Sequence, residues 1–91
     1  MKVTDEVLES LDRDHIRSYL SRMGWMHVGN TPEVGEWFEK FGSERHYEVL
    51  VLFESAKVYK QAYLPLMGAI FNVLEEEENR SQLDILEDLK R

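Results

Sequence analysis

The chain has 91 residues, of which 43% are hydrophobic and 32% charged, no cysteine, and a net charge of −7. This length and composition predict a single globular domain over residues 1–91, and the lack of cysteine excludes a disulfide scaffold, a thiolate zinc site and a cysteine nucleophile. The acidic balance disfavours direct binding to nucleic acid, because affinity for phosphates comes largely from Lys and Arg.

A helix is the clearest predicted element near the start of the chain, in the segment DRDHIRSYLSRMG. The apolar residues that follow the spacing of one helix face are Ile16, Tyr19, Leu20 and Met23. We expect Asp12 to cap the start of this helix and Gly24 to end it in a left-handed conformation. Upstream, residues 4–11 either form a shorter helix capped by Thr4 or continue into the same helix, and residues 1–10 are the part expected to fray.

Three strands are predicted next, arranged as an antiparallel meander. The first is the short segment WMHV, which is followed by turn residues in GNTPE. The second strand runs over residues 34–41, with Trp37 and Phe41 on one face and Phe38 on the other. After a loop at GSERH, the third strand is YEVLVLF, whose run of apolar residues indicates burial.

Two helices complete the predicted fold. The first is expected to begin near Ala62, which places Pro65 in its first turn, where proline is tolerated. Asn79 is expected to end that helix and Ser81 to cap the second. The inward residues predicted for the second helix are Leu83, Leu86 and Leu89. The predicted class is therefore α+β, a two-layer sandwich of a helix, a three-stranded antiparallel meander and two C-terminal helices, with one sheet face uncovered.

Acidic residues concentrate near the C-terminus, where residues 75–91 carry seven acids and three bases. Four glutamates stand in a row, but successive helical residues point about 100° apart, so the four cannot converge on one ion. We predict no metal site there. The segment is either a solvated helix end or an acidic surface that steers a basic protein partner. Its acidic residues are Glu75, Glu76, Glu77, Glu78, Asp84, Glu87 and Asp88.

The aromatic residues are more numerous than a small core readily holds. Of the neighbours Trp37 and Phe38, one is expected to point away from the helices, and aromatic side chains are enriched at interface hot spots. The leading hypothesis is a non-enzymatic protein–protein interaction module of the inhibitor, antitoxin or immunity type. It would bind a basic protein through Trp37, Phe38 and the acidic end, or pair with itself as a homodimer through the sheet face.

Two alternatives remain open. One is an acidic mimic of nucleic acid that blocks a basic channel, which needs carboxylates spaced like phosphates. The other is a small metal- or ligand-binding protein that uses His27, His46 and Glu48, which needs these side chains to converge.

Other classes of function are not indicated. No catalytic residue and no cofactor is predicted, because neither a nucleophile motif nor a phosphate-cradling glycine loop occurs. The N-terminus has no apolar signal segment, and no apolar stretch is long enough to cross a bilayer. We therefore expect a cytoplasmic protein with no membrane partner.

Three segments carry a resemblance to known sequences: IRSYLSRMGW, YEVLVLF and NRSQLDILEDL. Together they resemble short uncharacterised bacterial proteins with the pattern L-x-x-Y-L-x-x-x-G-W, then E-V-L-V, then E-x-R-S and a final leucine-rich helix. The likeness covers residues 11–90 and is absent at Pro65 and Gly68, where similar sequences run as plain helix. It implies a compact housekeeping or accessory protein, for example from mobile or defence-associated loci, and carries over no activity and no functional residue.

Overall fold

Four helices and one three-stranded antiparallel sheet make up the fold of residues 2–91, the part of the chain that the computed structural model describes. Their bounds are α1 Asp5–Ser10, α2 Arg13–Arg22, β1 Met26–Thr31, β2 Gly35–Phe41, β3 His46–Leu52, α3 Lys60–Glu78 and α4 Gln82–Leu89, with a 3-10 turn over Glu54–Val58. The strand order β1-β2-β3 is a meander, which confirms the predicted α+β class. None of the helices within residues 2–91 combines the length and the apolar character needed to cross a bilayer.

Capping residues set the helix ends at the predicted places. Thr4 and Asp12 accept backbone N–H groups at the starts of α1 and α2, so these are two separate helices. Gly24 follows α2 with a φ of 89°, and Asn79 ends α3 with a φ of 53°. Ser81 caps α4 through its hydroxyl. Local chemistry therefore explains most of the boundaries between elements.

Val3 and Leu8 pack against the C-terminal half of the chain. Leu8 in α1 is buried, and the Val3 backbone N–H donates a hydrogen bond of 3.1 Å to Gln82 Oε1. A Cβ added at Gly68 in α3 would lie 3.7 Å from Leu8 Cδ1, an ordinary packing distance. Residues 5–10 thus form the shorter of the two helices considered for this segment, and α3 covers their apolar side.

Two expectations for the C-terminal helices are wrong. The 3-10 turn leads almost directly into α3, which begins at Lys60, so Pro65 lies beyond the first turn and removes one backbone donor from the helix ladder. In α4, Leu83 is 44% exposed and Ile85 is buried in its place. The buried side of α4 starts one residue before the predicted leucine stripe, with Gln82.

The first strand is also longer than predicted. Gly29, Asn30 and Thr31, expected as turn residues, pair with β2 instead, and the turn occupies residues 32–34. The register shifts between His27 and Gly29, which marks a β-bulge at Val28. The bulge matters for the surface, because it leaves Val28 49% exposed beside β2.

The sheet has one covered and one open face, since successive side chains of a strand alternate. Phe38 is 3% exposed and packs in the core with Val49 and Val51 of β3. The helices α2 and α3 cover this side of the sheet. Trp37 points the other way, so the prediction that Phe38 contributes to a partner-binding surface is wrong, and Trp37 is the residue of the pair that leaves the core.

Candidate functional site

The four glutamates at the end of α3 point at four different neighbours. The contacts are Glu75 with Gln82, Glu76 with Arg45, Glu77 with Lys40 and Glu78 with Arg80. The side chains of Glu77 and Glu78 are only 12% and 5% exposed. The 100° step between helical residues sends each carboxylate to a separate element, so the run connects α3 to α4, β2 and the β2–β3 loop. It is a set of internal contacts rather than one acidic patch.

Glu78 is the most enclosed of these carboxylates. The Tyr19 hydroxyl donates to its two oxygens at 2.6 and 2.8 Å, and Arg80 Nε donates to it at 2.8 Å. Arg80 also donates to the Tyr19 oxygen and pairs with Asp88 at 2.7 Å, which lowers the pKa of that carboxyl. Burial, followed by the Glu78 hydrogen bond, raises the pKa of Tyr19 to about 12. This network joins α2, α3 and α4.

The remaining acids of the predicted site are more exposed but lie apart from the aromatic residues. Asp84 and Glu87 are exposed on α4, which packs against α3 and α2. They therefore belong to the helical layer, whereas Trp37 lies on the opposite face of the sheet. The structure does not bring together the aromatic and the acidic parts of the predicted partner surface.

The uncovered side of the sheet carries exposed apolar side chains. Met26 is 62% exposed and Phe41 70% exposed. Trp37 lies on the same face, two residues before Glu39, which is paired with Met26, and it donates from Nε1 to Thr31 Oγ1 of β1 at 2.9 Å. The backbone at Gly29, directly opposite Trp37, has open space where a side chain would stand. A shallow groove of about 220 Å³ results, lined by Val28, Gly29, Asn30, Thr31, Trp37 and Glu48.

Two carboxylates and a histidine share this side of the sheet. Glu39 and Glu48 are direct cross-strand partners. His46 Nε2 lies 2.9 Å from Glu39 Oε2, and His46 Nδ1 lies 3.9 Å from Glu48 Oε1. The imidazole stacks on Phe41 with ring centroids 4.4 Å apart. We call the whole surface the open face, and its residues are Met26, Val28, Trp37, Glu39, Phe41, His46, Glu48 and Leu50.

His27 lies on the other face of the sheet, so the predicted ligand set of His27, His46 and Glu48 does not assemble. His27 Nε2 is 3.1 Å from Glu36 Oε2. The Glu36 side chain is 9% exposed and also contacts Arg13 and, at 3.2 Å, Arg17. Burial lowers the pKa of Arg13. This cluster ties α2 to the sheet, and both oxygens of its carboxylate already have cationic or donor partners.

The residue that sequence reasoning missed is Glu39. A signal for it existed, because a hairpin centred on the loop at residues 42–45 places Glu39 directly opposite Glu48. No protein-family model, no curated protein and no solved structure matches this chain.

Proposed function

We propose that this chain is a non-enzymatic protein–protein interaction module whose open face binds a partner segment that combines basic and apolar side chains. One observation carries the proposal: exposed Met26 and Phe41 and half-buried Trp37 lie around two carboxylates that have no Lys or Arg partner among residues 2–91. Elsewhere in the described chain, large apolar side chains of the sheet are covered by helices.

The side chains of the open face have the character of an interface centre. Aromatic residues and methionine are enriched at protein–protein interfaces. The hydrogen bond from Trp37 to Thr31 restricts the Trp37 ring, so less side-chain entropy is lost on binding. The shallow groove beside Gly29 offers room for one apolar anchor residue of a partner. A broad surface with a shallow groove is suited to recognition rather than to enclosing a small substrate.

Charge complementarity selects the partner. Glu39 and Glu48 lie side by side at the middle of the open face, within the reach of one Lys or Arg side chain. The net charge of −7 adds long-range attraction for a basic protein, which raises its association rate. A module of this kind acts by occupying its partner, in the manner of inhibitors, antitoxins and immunity proteins, and the lack of cysteine fits action in the cytoplasm.

Selection of displayed random peptides against the untagged protein tests the proposal. We expect enriched peptides to carry Lys or Arg flanked by aromatic or aliphatic residues and to bind more weakly at high salt. The variant Trp37→Ala should lose these peptides, with a binding cost above about 1–2 kcal/mol if Trp37 is an anchor site. The matched control is Tyr59→Ala, which removes an aromatic ring that is 72% exposed outside the open face.

Two results would contradict the proposal. Peptides that bind the wild type and Trp37→Ala equally would show that the open face is not the recognition surface. A dimer mass in light scattering that falls to the monomer mass in Trp37→Ala would show that a second copy of the chain, and not a basic partner, covers the open face.

A further inference from the structure

Glu39, His46 and Glu48 each offer one ligand atom, and within residues 2–91 these atoms lie within 4.8 Å of one another. We propose that the three side chains form a binding site for a divalent transition-metal ion of the zinc class. The ligands are one oxygen from each carboxylate and one imidazole nitrogen. The site needs no partner protein, so the inference goes beyond the proposed function.

The strand pairing places the three residues side by side on one face before any ion arrives. Glu39 and Glu48 are directly paired across β2 and β3, and Phe41 is paired with His46 two residues further along. His46 and Glu48 are two residues apart on one strand, so they share a face. β2 is the central strand and is hydrogen-bonded on both sides. Glu39 lies on this strand, and His46 and Glu48 lie on the edge strand β3 that pairs with it. Ligands on paired strands are more precisely positioned than ligands on loops.

The charges around the cluster favour a cation. Like charges directly opposite each other weaken a sheet, and Glu39 and Glu48 are such a pair. The adjacent bases do not offset them, because Lys40 contacts Glu77 and Arg45 contacts Glu76 in the helical layer. Among residues 2–91, the only cationic or imidazole side chain within 4.0 Å of either carboxylate is His46. A dication between the two would convert a repulsive arrangement into an attractive one.

The donor set favours zinc-class ions over Ca²⁺ or Mg²⁺. Zinc binds imidazole nitrogen and carboxylate oxygen at about 2.0–2.2 Å in a tetrahedron, whereas the two hard cations take oxygen ligands, six or more for Ca²⁺. Neighbouring ligand atoms of such a tetrahedron are about 3.3 Å apart, close to the 2.9 Å between His46 Nε2 and Glu39 Oε2. The Glu48 side chain is 55% exposed and can rotate inward to complete the set.

Two further features follow from the geometry. Stacking on Phe41 restricts the His46 ring, so less freedom is lost when the nitrogen binds an ion. Three protein ligands leave the fourth tetrahedral position open toward solvent. Water would take that position. Because the ion would occupy Glu39 and Glu48, zinc and the Lys or Arg of a basic partner would compete for these two carboxylates.

Calorimetry with ZnCl₂ on the untagged full chain tests the inference. We expect one zinc ion per chain, reversal by a chelator, weaker binding as the pH falls because imidazole must be deprotonated, and no binding of Mg²⁺ or Ca²⁺. Substituting Co²⁺ should produce the visible absorption of a tetrahedral site. The loss of one ligand in His46→Ala or Glu48→Gln should weaken zinc binding at least 10- to 100-fold, the range known for lost supporting partners.

Matched controls separate this site from adventitious binding. His15→Ala removes an exposed histidine on α2 and Glu44→Gln an exposed carboxylate in the β2–β3 loop, and neither should change zinc affinity. Circular dichroism confirms that each variant folds. Trp37→Ala should keep zinc binding while it loses peptide binding, so the two proposals fail independently. No heat with zinc, or equal zinc binding by wild type and the double variant His46→Ala, Glu48→Gln, would overturn the inference.

Discussion

Two groups of carboxylates in this chain differ in how close they lie in the sequence and in the folded structure. The four consecutive glutamates of α3 look in sequence like a charged patch, yet they contact four separate internal partners, and two of them are nearly buried. Glu39 and Glu48 are nine positions apart in sequence and inconspicuous there, yet the sheet register brings them side by side on an open surface. The carboxylates that are adjacent in sequence thus point to different parts of the fold. The two that are distant in sequence are brought together by strand pairing.

The neighbouring aromatic residues of β2 should show the largest contrast in stability. Phe38→Ala removes a core side chain and should lower the free energy of unfolding by about 3–5 kcal/mol, because it leaves a cavity beneath α2 and α3. Trp37→Ala removes a ring outside the core and one hydrogen bond, so its cost should be about 1 kcal/mol or less. Urea denaturation measures both. Equal losses would mean that the open face is not open in solution.

The glutamate run should respond according to burial rather than charge. Glu78→Ala deletes an acceptor that serves Tyr19 and Arg80, and we expect a loss of about 2–3 kcal/mol in the free energy of unfolding. Glu76→Ala is the matched control, since this side chain is 54% exposed and its ion pair with Arg45 should contribute less than about 1 kcal/mol. Similar losses for both substitutions would contradict the internal role assigned to Glu78.

The sequence predicts the elements of this fold well and their pairings poorly. The i, i+3, i+4, i+7 spacing of Ile16 to Met23, and the caps at Asp12, Asn79 and Ser81, are local features, and the structure confirms them. The partners of Glu76 and Glu77 come from β2 and the loop after it, more than thirty residues away. Side-chain chemistry within a helix cannot determine such partners, because they depend on how α3 crosses the sheet.

The aromatic pair shows the same limit on a smaller scale. Strand alternation correctly predicts that Trp37 and Phe38 face opposite ways, but it does not tell which face the helices cover. That choice follows from β3, where His46 and Glu48 occupy one face and buried Val49, the partner of Phe38, occupies the other. Reading the hairpin register together with the burial of β3 would have placed Phe38 in the core and Glu39 beside Glu48.

Alkaline pH should weaken the network that holds the acidic run in place. The pKa of Tyr19 is about 12, above its ordinary 10.0, so folding favours the neutral phenol. Its contribution to stability is complete below pH 10 and is lost as the pH rises from about 10 to 12. In Tyr19→Phe this part of the alkaline loss should disappear, with a cost of about 1 kcal/mol at neutral pH for the missing hydrogen bonds. If the free energy of unfolding of Tyr19→Phe fell between pH 10 and 12 as much as that of the wild type, the raised pKa of Tyr19 would be contradicted.

A substitution in the Glu39–Glu48 pair should have the smallest effect on the free energy of unfolding, and it should raise this free energy rather than lower it. Glu48→Lys replaces a like-charge cross-strand pair with an opposite-charge pair, so we expect the free energy of unfolding to rise by about 0.2–1 kcal/mol at low salt and the gain to shrink in high salt. Glu44→Lys makes the same charge change in the loop, away from any paired carboxylate of the sheet, and controls for net charge. Glu48→Lys also removes the contact of Glu48 with His46, which would reduce the gain. An equal change in both variants would mean that repulsion between Glu39 and Glu48 does not weaken the sheet, whereas a gain confined to Glu48→Lys would show that it does.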